Sequence, residues 1–224
     1  MDREGNSNFM DHYRTWRPVR LKKLENLFFS ETFQNKTILE VGCGYGDIGK
    51  YFIEKYNSIV TFTEGREEHI PYIKENNPES IVILQDHNQK WNLNKKFDVL
   101  IHFGLLYHLD NWEQDLICSM EHSDLIILES EIADSNDIAG HFVVSEGGGY
   151  DQSINNDFGV RPSASNVERV IIENGFEFIR YDDSDLNDGY HVYDWKVTGA
   201  ADDTGKCTMQ GIATRRFWVI RRKK

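Results

Sequence analysis

Glycines and carboxylates end short apolar runs at a spacing that suits the binding of a nucleoside. Residues 40–46 (EVGCGYG) close an apolar run that begins at Thr37. Glycine at such a point lets the backbone turn tightly and approach a ligand with no Cβ in the way. Glu64 ends the next run about 20 residues on, where a carboxylate can accept hydrogen bonds from both hydroxyls of a ribose. On these residues alone, a plain strand-to-helix turn beside a surface glutamate is the alternative interpretation.

A second carboxylate strengthens the nucleoside interpretation. Asp86 follows the third apolar run, residues 80–84. Parallel strands end at one edge of a sheet, so the glycine turn, Glu64 and Asp86 would form one pocket there. The spacing departs from the G-x-G-x-x-G of nicotinamide dehydrogenases, because Asp47 stands where that pattern needs glycine and Gly49 is out of register. Asp47 could instead begin the following helix.

Alternating apolar runs and helical patterns place these residues in an α/β fold. Strands are predicted at 37–41, 59–63, 80–84, 97–103, 124–129, 176–181 and 216–221. Helical patterns cover about 18–30, 48–52, 66–76, 112–121 and 164–174. The alternation indicates parallel βαβ units, and runs without polar alternation are typical of strands covered on both faces. We expect the first dozen residues to lack fixed structure and residues 182–214 to form a hairpin-like insertion with a mobile section near 199–205.

Two segments resemble motifs of a known family. Residues 38–49 (ILEVGCGYGDIG) closely resemble the first motif of class I S-adenosylmethionine-dependent methyltransferases, and residues 97–109 (FDVLIHFGLLYHL) look like the family's fourth motif. Glu64 and Asp86 match the acids that hold the ribose and the adenine amino group in that family. The resemblance covers about residues 36–130. It implies a Rossmann-like fold with a mostly parallel seven-stranded sheet, helices on both faces and an antiparallel last strand.

The resemblance also implies how one domain, residues 1–224, is divided. Residues 1–35 would form an N-terminal cap, residues 36–130 the core that binds S-adenosylmethionine, and residues 131–224 the acceptor-binding loops. S-adenosylmethionine would be the methyl donor and S-adenosylhomocysteine the product. At the front end, residues 12–17, Tyr13 and Arg14 could close over the donor's carboxylate. A basic lead-in to the first helix is the alternative interpretation of this segment. The residues assigned to the donor are Tyr13, Arg14, Glu40, Gly42, Gly44, Tyr45, Gly46, Glu64, Gly65, Asp86, His87 and Phe103.

Methyl transfer to oxygen needs an aligned acceptor and, for a hydroxyl, a group that removes its proton. The methyl group itself is already activated by the donor. Candidates for the base are His108, Asp151, His191 and Glu129. His108 follows the fourth strand, in the loop that faces the donor in this fold. A histidine that only packs this loop is the alternative.

Two acids at the end of the fifth predicted strand would face the same side of the sheet. Glu129 and Glu131 are separated by one residue, so their side chains would point to the same side of the sheet. With Asp134 they could also hold a divalent cation through oxygen ligands. A solvated acidic strand end explains the same residues.

The tail combines aromatic rings with hydrogen-bonding side chains, which suits a sugar ring with its apolar face and many hydroxyls. The residues assigned to the acceptor are Tyr107, Glu131, Tyr150, Arg161, Tyr193, Asp194 and Trp195. The tail is similar to small methyltransferases of glycan and polysaccharide biosynthesis, including those of large DNA viruses. This similarity implies O-methylation of a sugar or glycan acceptor. An aromatic-rich core hairpin is the alternative.

The distribution of charge bears on which kinds of ligand and partner the protein binds. The 224 residues carry a formal net charge of -12, and nearly half of the 25 Lys and Arg lie in residues 1–23 and 215–224. The acidic middle is a poor general surface for a nucleic-acid backbone, which needs clustered basic side chains. An acidic cleft suits a cationic donor and a neutral acceptor.

Cysteine usage and hydropathy predict a cytoplasmic location, in the host cytoplasm if the protein is viral. Cys43, Cys118 and Cys207 are odd in number and form no C-x-x-C pair, which argues against a disulfide framework and a structural zinc site. The first residues lack the apolar stretch of a signal peptide, and no apolar run of about 18 residues predicts membrane insertion.

Three other functions compete with sugar methylation. A methyltransferase on tRNA or another nucleic acid would use the basic ends with Trp16 and Trp218. A methyltransferase on another small molecule would share the donor site but not the sugar contacts. A non-catalytic subunit that binds S-adenosylmethionine would keep the donor pocket without an acceptor base. The oligomeric state does not follow from these residues.

Overall fold

The computed structural model describes residues 7–146, 154, 158–199 and 213–224. The strands are β1 (Thr37–Val41), β2 (Ile59–Glu64), β3 (Ile81–Leu84), β4 (Val99–Phe103), β5 (Leu125–Glu131), β6 (His141–Ser145), β7 (Phe158–Pro162), β8 (Phe176–Tyr181), β9 (His191–Val192) and β10 (Ala213–Arg222). The α-helices are α1 (Ser7–Leu27), α2 (Asp47–Tyr56), α3 (Ile70–Asn76), α4 (Trp112–His122) and α5 (Ala164–Glu173).

Among the described residues the main sheet has eight strands: seven follow one another in the order β3-β2-β1-β4-β5-β10-β8, and β9 pairs with the start of β10. Parallel pairing joins the first five, and β10 runs antiparallel between β5 and β8. The chain moves outward from β1 to β3 and then returns to place β4 on the other side of β1. This reversal is the switch point at which ligands bind in open α/β sheets. The predicted fold class is confirmed.

The sheet is covered on both faces, as the unbroken apolar runs predicted. Ile38 and Ile101 pack on the face that holds α1 and α2, whereas Leu39 and Leu100 pack on the face that holds α4 and α5. Neighbouring residues of a strand point to opposite faces, so a strand covered twice must be apolar throughout. The functional side chains are therefore confined to the ends of the strands.

The first helix begins well before Pro18, where the sequence predicted its start. Helix α1 runs through the proline, although proline inside a helix removes a hydrogen bond and costs about 3 kcal/mol. Trp16, Arg20 and Leu24 lie four residues apart on one buried stripe. The side chain of Arg20 is fully buried in that stripe. A charged residue at a core position hides the helical periodicity, so the sequence did not predict the part of the helix between Ser7 and Pro18.

The predicted hairpin-like insertion at 182–214 is wrong in the described part. Strand β9 pairs parallel with the start of β10, whereas a hairpin would pair antiparallel. Most of the section predicted to be mobile lies outside the described residues. A two-stranded antiparallel ribbon of β6 and β7, which the sequence did not predict, lies over the loop after β4.

Among the described residues, no helix combines the length and the apolar character that crossing a membrane requires.

Candidate active site

A cleft that is partly open to solvent lies at the carboxyl ends of β1, β2 and β4. Nine of the twelve residues predicted to bind the donor line this cleft. They are Tyr13, Glu40, Gly42, Gly44, Tyr45, Glu64, Gly65, His87 and Phe103. The switch point of the sheet brings them together although they span most of the first half of the chain.

The other three predicted donor residues are not among the described residues that line the cleft. Gly46 precedes α2 with a φ of 75°, and its N–H donates to the carbonyl of Cys43 at 2.9 Å. Asp86 is half-buried and accepts from the N–H of Asn88 at 2.9 Å. Arg14 is exposed on α1. Gly46 and Asp86 thus stabilise the loops that contain residues lining the cleft.

Arg17 takes the place on the cleft that Arg14 was expected to hold. It lines the cleft, its guanidinium lies 4.5 Å from the centre of the Tyr13 ring, and it forms an ion pair with Asp47. Asp47 is the first residue of α2, so it is the helix-start residue that the sequence left as an alternative. The ion pair fastens α1 to the turn.

The conformation of the glycine turn requires glycine at two positions and is stabilised by a hydrogen bond to a carboxylate. Gly42 and Gly44 have φ angles of 60° and 59°, a region that side chains disfavour. A Cβ at Gly42 would lie 2.7 Å from the Leu105 side chain. The N–H of Gly44 donates to Glu64 Oε2 at 2.7 Å. The turn is therefore closed from both sides, by the loop after β4 and by the end of β2.

Glu64 is 6% exposed and accepts from two backbone N–H groups. The second is the N–H of Arg66, which donates to Oε1 at 2.9 Å. A carboxylate offers about four acceptor positions, so two remain for a ligand in the cleft. Its predicted role as the ribose acceptor fits this geometry.

Glu40 lies beneath the turn and accepts from the N–H of Gly49 at 2.7 Å. Burial raises the pKa of Glu40 to about 8, although the Gly49 hydrogen bond and Arg17 oppose the shift. A Cβ at residue 49 would lie 2.6 Å from Glu40 Oε2 and would also overlap the Phe62 ring. Gly49 is thus needed for close packing, a reason independent of any nucleotide motif.

Gly49→Ala is expected to destabilise the fold by about 1–3 kcal/mol, since overpacking outweighs the helix propensity that alanine gains. Thermal and urea unfolding measure this loss. Lys50→Ala, on the partly exposed side of the same helix, serves as the control and should leave the free energy of unfolding within about 0.5 kcal/mol of wild type. Equal stability of both variants would contradict the packing argument.

Glu40 should also make stability depend on pH. Its pKa is higher in the folded chain, about 8, than the ordinary value of 4.5, so the folded state binds the extra proton between these values. The stabilisation is complete below pH 4.5 and is lost as the pH rises through 8. Glu40→Gln removes this titration. The free energy of unfolding of wild type minus that of the variant should therefore fall from pH 5 to pH 8, and a constant difference would contradict the assignment.

On the acceptor side, His108 forms a dyad with a carboxylate that the sequence did not single out. His108 lines the cleft, and its Nδ1 lies 2.7 Å from Glu146 Oε2. Arg161 pairs with the other oxygen of Glu146 and also donates to the carbonyl of Tyr107 at 3.1 Å. The backbone of Gly159 packs against this group, where a Cβ would lie 2.5 Å from the Tyr107 carbonyl. The β6–β7 ribbon thus fixes the position of His108 through Glu146, the residue that follows β6.

The other described candidate bases lie in a separate buried network. Glu129 is fully buried, and Arg20 and Arg215 both donate to its Oε1, at 3.3 and 3.1 Å. Burial alone would raise the pKa of Glu129, but Arg215 and Arg20 outweigh it and lower the pKa. His191 Nδ1 lies 2.9 Å from Asp188 Oδ2, and burial together with Arg215 lowers the pKa of His191 to about 4.

Within this network only Arg215 is among the described residues that line the cleft. Its Nη2 donates to the hydroxyl of Tyr107 at 2.9 Å, and its guanidinium lies 4.7 Å from the centre of that ring. Burial raises the pKa of Tyr107. Glu129 is therefore placed to orient Arg215 and, through it, Tyr107.

The predicted sugar contacts are dispersed. Tyr193 is fully buried, donates to Glu129 Oε1 at 2.6 Å and packs on the opposite face of the sheet from Trp195. Trp195 is half-buried, with the Arg216 guanidinium 4.0 Å from its ring centre. Asp194 is exposed and accepts from Asn187 at 2.9 Å. These contacts favour the alternative of an aromatic packing element for Tyr193.

Of the remaining acceptor predictions, Glu131 and Arg161 are buried behind the cleft, with Arg161 Nε 3.4 Å from Glu131 Oε1. Tyr150 and Asp151 lie outside the described residues.

The three acids considered for a cation each have other partners. Glu129 and Glu131 bond to arginines, and Asp134 accepts from the N–H of Thr198 at 2.7 Å. Within the part of the chain that the structure describes, no group of three or more His, Cys, Asp or Glu side chains is placed to hold a metal ion.

Several lining residues were not among those predicted to bind the donor or the sugar. Three of them hold buried nitrogen atoms that have no hydrogen-bond partner among the described residues, namely Trp16 Nε1, both ring nitrogens of His69, and Asn88 Nδ2. Buried polar atoms are nearly always bonded, so these atoms point to a polar ligand in the cleft. A nucleoside with an amino acid side arm supplies such partners, and the glycine turn leaves room for its close approach.

Comparisons with known proteins bear on the family of this chain. The family described as "Methyltransferase domain" matches residues 12–126. A comparison with curated proteins finds no match.

Solved structures show a similar fold at low sequence identity. The N-terminal domain of EvdMO1 with S-adenosylhomocysteine bound has a TM-score of 0.66 and 16% identity, over 92% of this chain and 81% of that one. The same domain was also crystallised in the presence of S-adenosylhomocysteine and D-fucose. Magnesium protoporphyrin IX methyltransferase from Synechocystis PCC 6803, with S-adenosylmethionine bound, has a TM-score of 0.61 and 13% identity, over 98% and 86%.

Proposed function

Because this chain belongs to the methyltransferase domain family, whose donor is S-adenosylmethionine, we propose that it methylates a hydroxyl oxygen of a sugar or glycan. The observation that carries the oxygen acceptor is the dyad of His108 and Glu146 on the cleft. A hydroxyl loses its proton only far above neutral pH, so methyl transfer to it gains from a positioned base. Of the other described residues predicted as the base, Glu129 and His191 lie in the buried network and are not among the described residues that line the cleft.

The donor supplies a methyl group that is already activated. Glu64 would hold the ribose, and the turn at residues 42–46 would hold the methionine part. Glu40 lies below that turn, where an ionised carboxylate favours a ligand ammonium group. The chain's remaining task is to align the acceptor and to accept its proton.

The dyad determines which nitrogen of His108 accepts that proton. Glu146 accepts from Nδ1–H, which leaves Nε2 with its lone pair. When Nε2 takes the hydroxyl proton, the carboxylate of Glu146 stabilises the resulting imidazolium, as in other histidine–carboxylate pairs. Arg161 keeps Glu146 in place, and its own charge is balanced by Glu131.

Gly104, directly after β4, lines the cleft where the backbone approaches the Trp16 ring closely. A Cβ at this glycine would lie 3.2 Å from the Trp16 ring and 4.0 Å from the Tyr107 hydroxyl. Trp16 and Tyr107 thus flank a stretch of bare backbone next to His108. An aromatic ring on each side and a hydroxyl within reach suit a sugar ring, so we assign to Trp16 and Tyr107 the stacking role first given to Tyr193 and Trp195.

A sugar acceptor is supported by one neighbour, because the EvdMO1 domain was crystallised in the presence of D-fucose. The sequence-based predictions of a cytoplasmic location and of acceptor contacts from residues 131–224 form part of the same proposal.

Several basic residues of the described chain ends are bonded to carboxylates or lie away from the cleft. Arg222 bonds to Asp124, which precedes β5 and therefore lies at the edge of the sheet opposite the cleft. Near the front end, Arg17, Arg20 and Lys23 are all paired with carboxylates. Paired cations have little charge left for phosphates, so nucleic acid is a poorer acceptor than a sugar.

The proposal is tested by incubating the protein with methyl-labelled S-adenosylmethionine and a panel of sugars, nucleotide sugars, porphyrins and tRNA. We expect label on a sugar hydroxyl, located by mass spectrometry. A Tyr107→Leu variant, which removes one of the two proposed stacking rings but leaves the donor turn, is expected to lose this transfer while still binding S-adenosylhomocysteine. Transfer to porphyrin or tRNA alone would refute the sugar acceptor, and no transfer to any acceptor would favour a binding subunit.

A further inference from the structure

His69 lies in the donor cleft with both ring nitrogens unbonded. It ends the short 3₁₀ turn Glu67–His69 that follows β2, is 4% exposed and lines the cleft. Neither Nδ1 nor Nε2 has a hydrogen-bond partner among the described residues. Burying a polar atom without a partner is costly, so the arrangement indicates a group that a ligand supplies.

An oxygen of Glu64, the proposed ribose acceptor, lies close to His69. His69 Nδ1 lies 3.6 Å from Glu64 Oε1, which is too far for a direct hydrogen bond. A hydroxyl oxygen between them can lie about 2.8 Å from both atoms, within hydrogen-bonding range of each. Since Arg66 N–H takes only one acceptor position of Oε1, the oxygen can still accept from that hydroxyl.

Neighbouring rings hold the imidazole in this orientation. The centre of the Tyr45 ring lies 4.6 Å from that of His69 at an interplanar angle of 37°, and Tyr72 meets Tyr45 edge-on at 5.1 Å. Tyr45 is itself part of the glycine turn. The ring of His69 is therefore fixed before a ligand arrives, which lowers the entropy lost on binding.

We propose that His69 is a donor-binding residue that reads one ribose hydroxyl. Its Nδ1–H donates to the hydroxyl that itself donates to Glu64 Oε1, so the same oxygen is held by two side chains. His69 would then add a preference for a ribonucleoside that Glu64 alone does not provide.

The test measures binding by calorimetry, with S-adenosylhomocysteine and its 2′-deoxy and 3′-deoxy analogues as ligands. The variant is His69→Phe, which keeps a ring against Tyr45 and removes both nitrogens. We expect the variant to bind S-adenosylhomocysteine about three- to tenfold more weakly, the worth of one hydrogen bond. On wild type one deoxy analogue should lose more than this factor, because its missing hydroxyl would have bonded to both Glu64 and His69. On the variant the loss for the same analogue should be about three- to tenfold smaller than on wild type, because only the bond to Glu64 is left to lose.

Two further measurements separate this role from a structural one. The melting temperature of ligand-free His69→Phe should equal or exceed that of wild type, since the substitution removes two unbonded buried atoms. His69→Asn, which restores an N–H near the position of Nδ1, should recover part of the affinity. Glu68→Ala changes an exposed acid of the same turn and should alter neither quantity.

Undiminished affinity of His69→Phe for S-adenosylhomocysteine would overturn the proposal. So would equal losses for each deoxy analogue on wild type and variant, because the hydroxyl and the ring would then act independently. None of these readouts requires turnover, so they do not depend on which acceptor is methylated.

Discussion

Glu64→Ala is expected to weaken the binding of S-adenosylhomocysteine by at least about a hundredfold. The substitution removes the acceptor of two ribose hydroxyls, and hydrogen bonds to a charged group are worth about 1.5–3 kcal/mol each. It also leaves the N–H groups of Gly44 and Arg66 without their partner, so the glycine turn loses its closure. Titration calorimetry with S-adenosylhomocysteine measures the affinity directly, without an acceptor.

Two companion variants make this result specific. Glu64→Gln keeps the shape and one acceptor oxygen, and it should fall between alanine and wild type. Glu67→Ala changes an acid in the adjacent turn that is not among the lining residues of the cleft, so its affinity should match wild type. Near-normal affinity of Glu64→Ala would remove Glu64 from the ribose site and would place the nucleoside elsewhere in the cleft.

The donor side could be predicted from the sequence because its signals are local. Each strand ends in the residue that the ligand meets, and the order of strands follows from the alternation of elements. Residues 38–49 and 97–109 therefore indicated the family, and the match over residues 12–126 confirms it. The prediction misplaced Arg14 because it assumed that α1 began at Pro18, whereas the full helix turns Arg17 toward the cleft.

The acceptor side depends on contacts between distant residues, which periodicity cannot show. Glu146 meets His108 only because β6 pairs with β7 and the ribbon folds over the loop after β4. Arg20 reaches Glu129 across more than a hundred residues, and nothing near either residue marks the pair. Tyr193 was predicted to contact the acceptor because aromatic and hydrogen-bonding residues surround it in the sequence, yet its ring is fully buried.

His108→Ala should lower kcat about a hundred- to a thousandfold while leaving the affinity for S-adenosylhomocysteine within about twofold of wild type. General bases contribute roughly 10²–10⁴-fold to a rate, and the groups that hold the donor are separate from this dyad. Glu146→Gln should cost less, about ten- to a hundredfold, because the ring remains but loses the carboxylate that fixes its tautomer and stabilises its charge. Single-turnover transfer of labelled methyl to the acceptor measures both rates.

His141→Ala supplies the matched control, because His141 lies on the same ribbon but is exposed and bonds only to the carbonyl of Ala139 among the described residues. It should retain full kcat. The double variant of His108 and Glu146 should be no slower than His108→Ala alone, since the carboxylate acts only through the ring. Additive losses would mean that Glu146 contacts the acceptor itself. Unchanged kcat in His108→Ala would mean that the acceptor needs no base, as an already ionised or nitrogen acceptor would not.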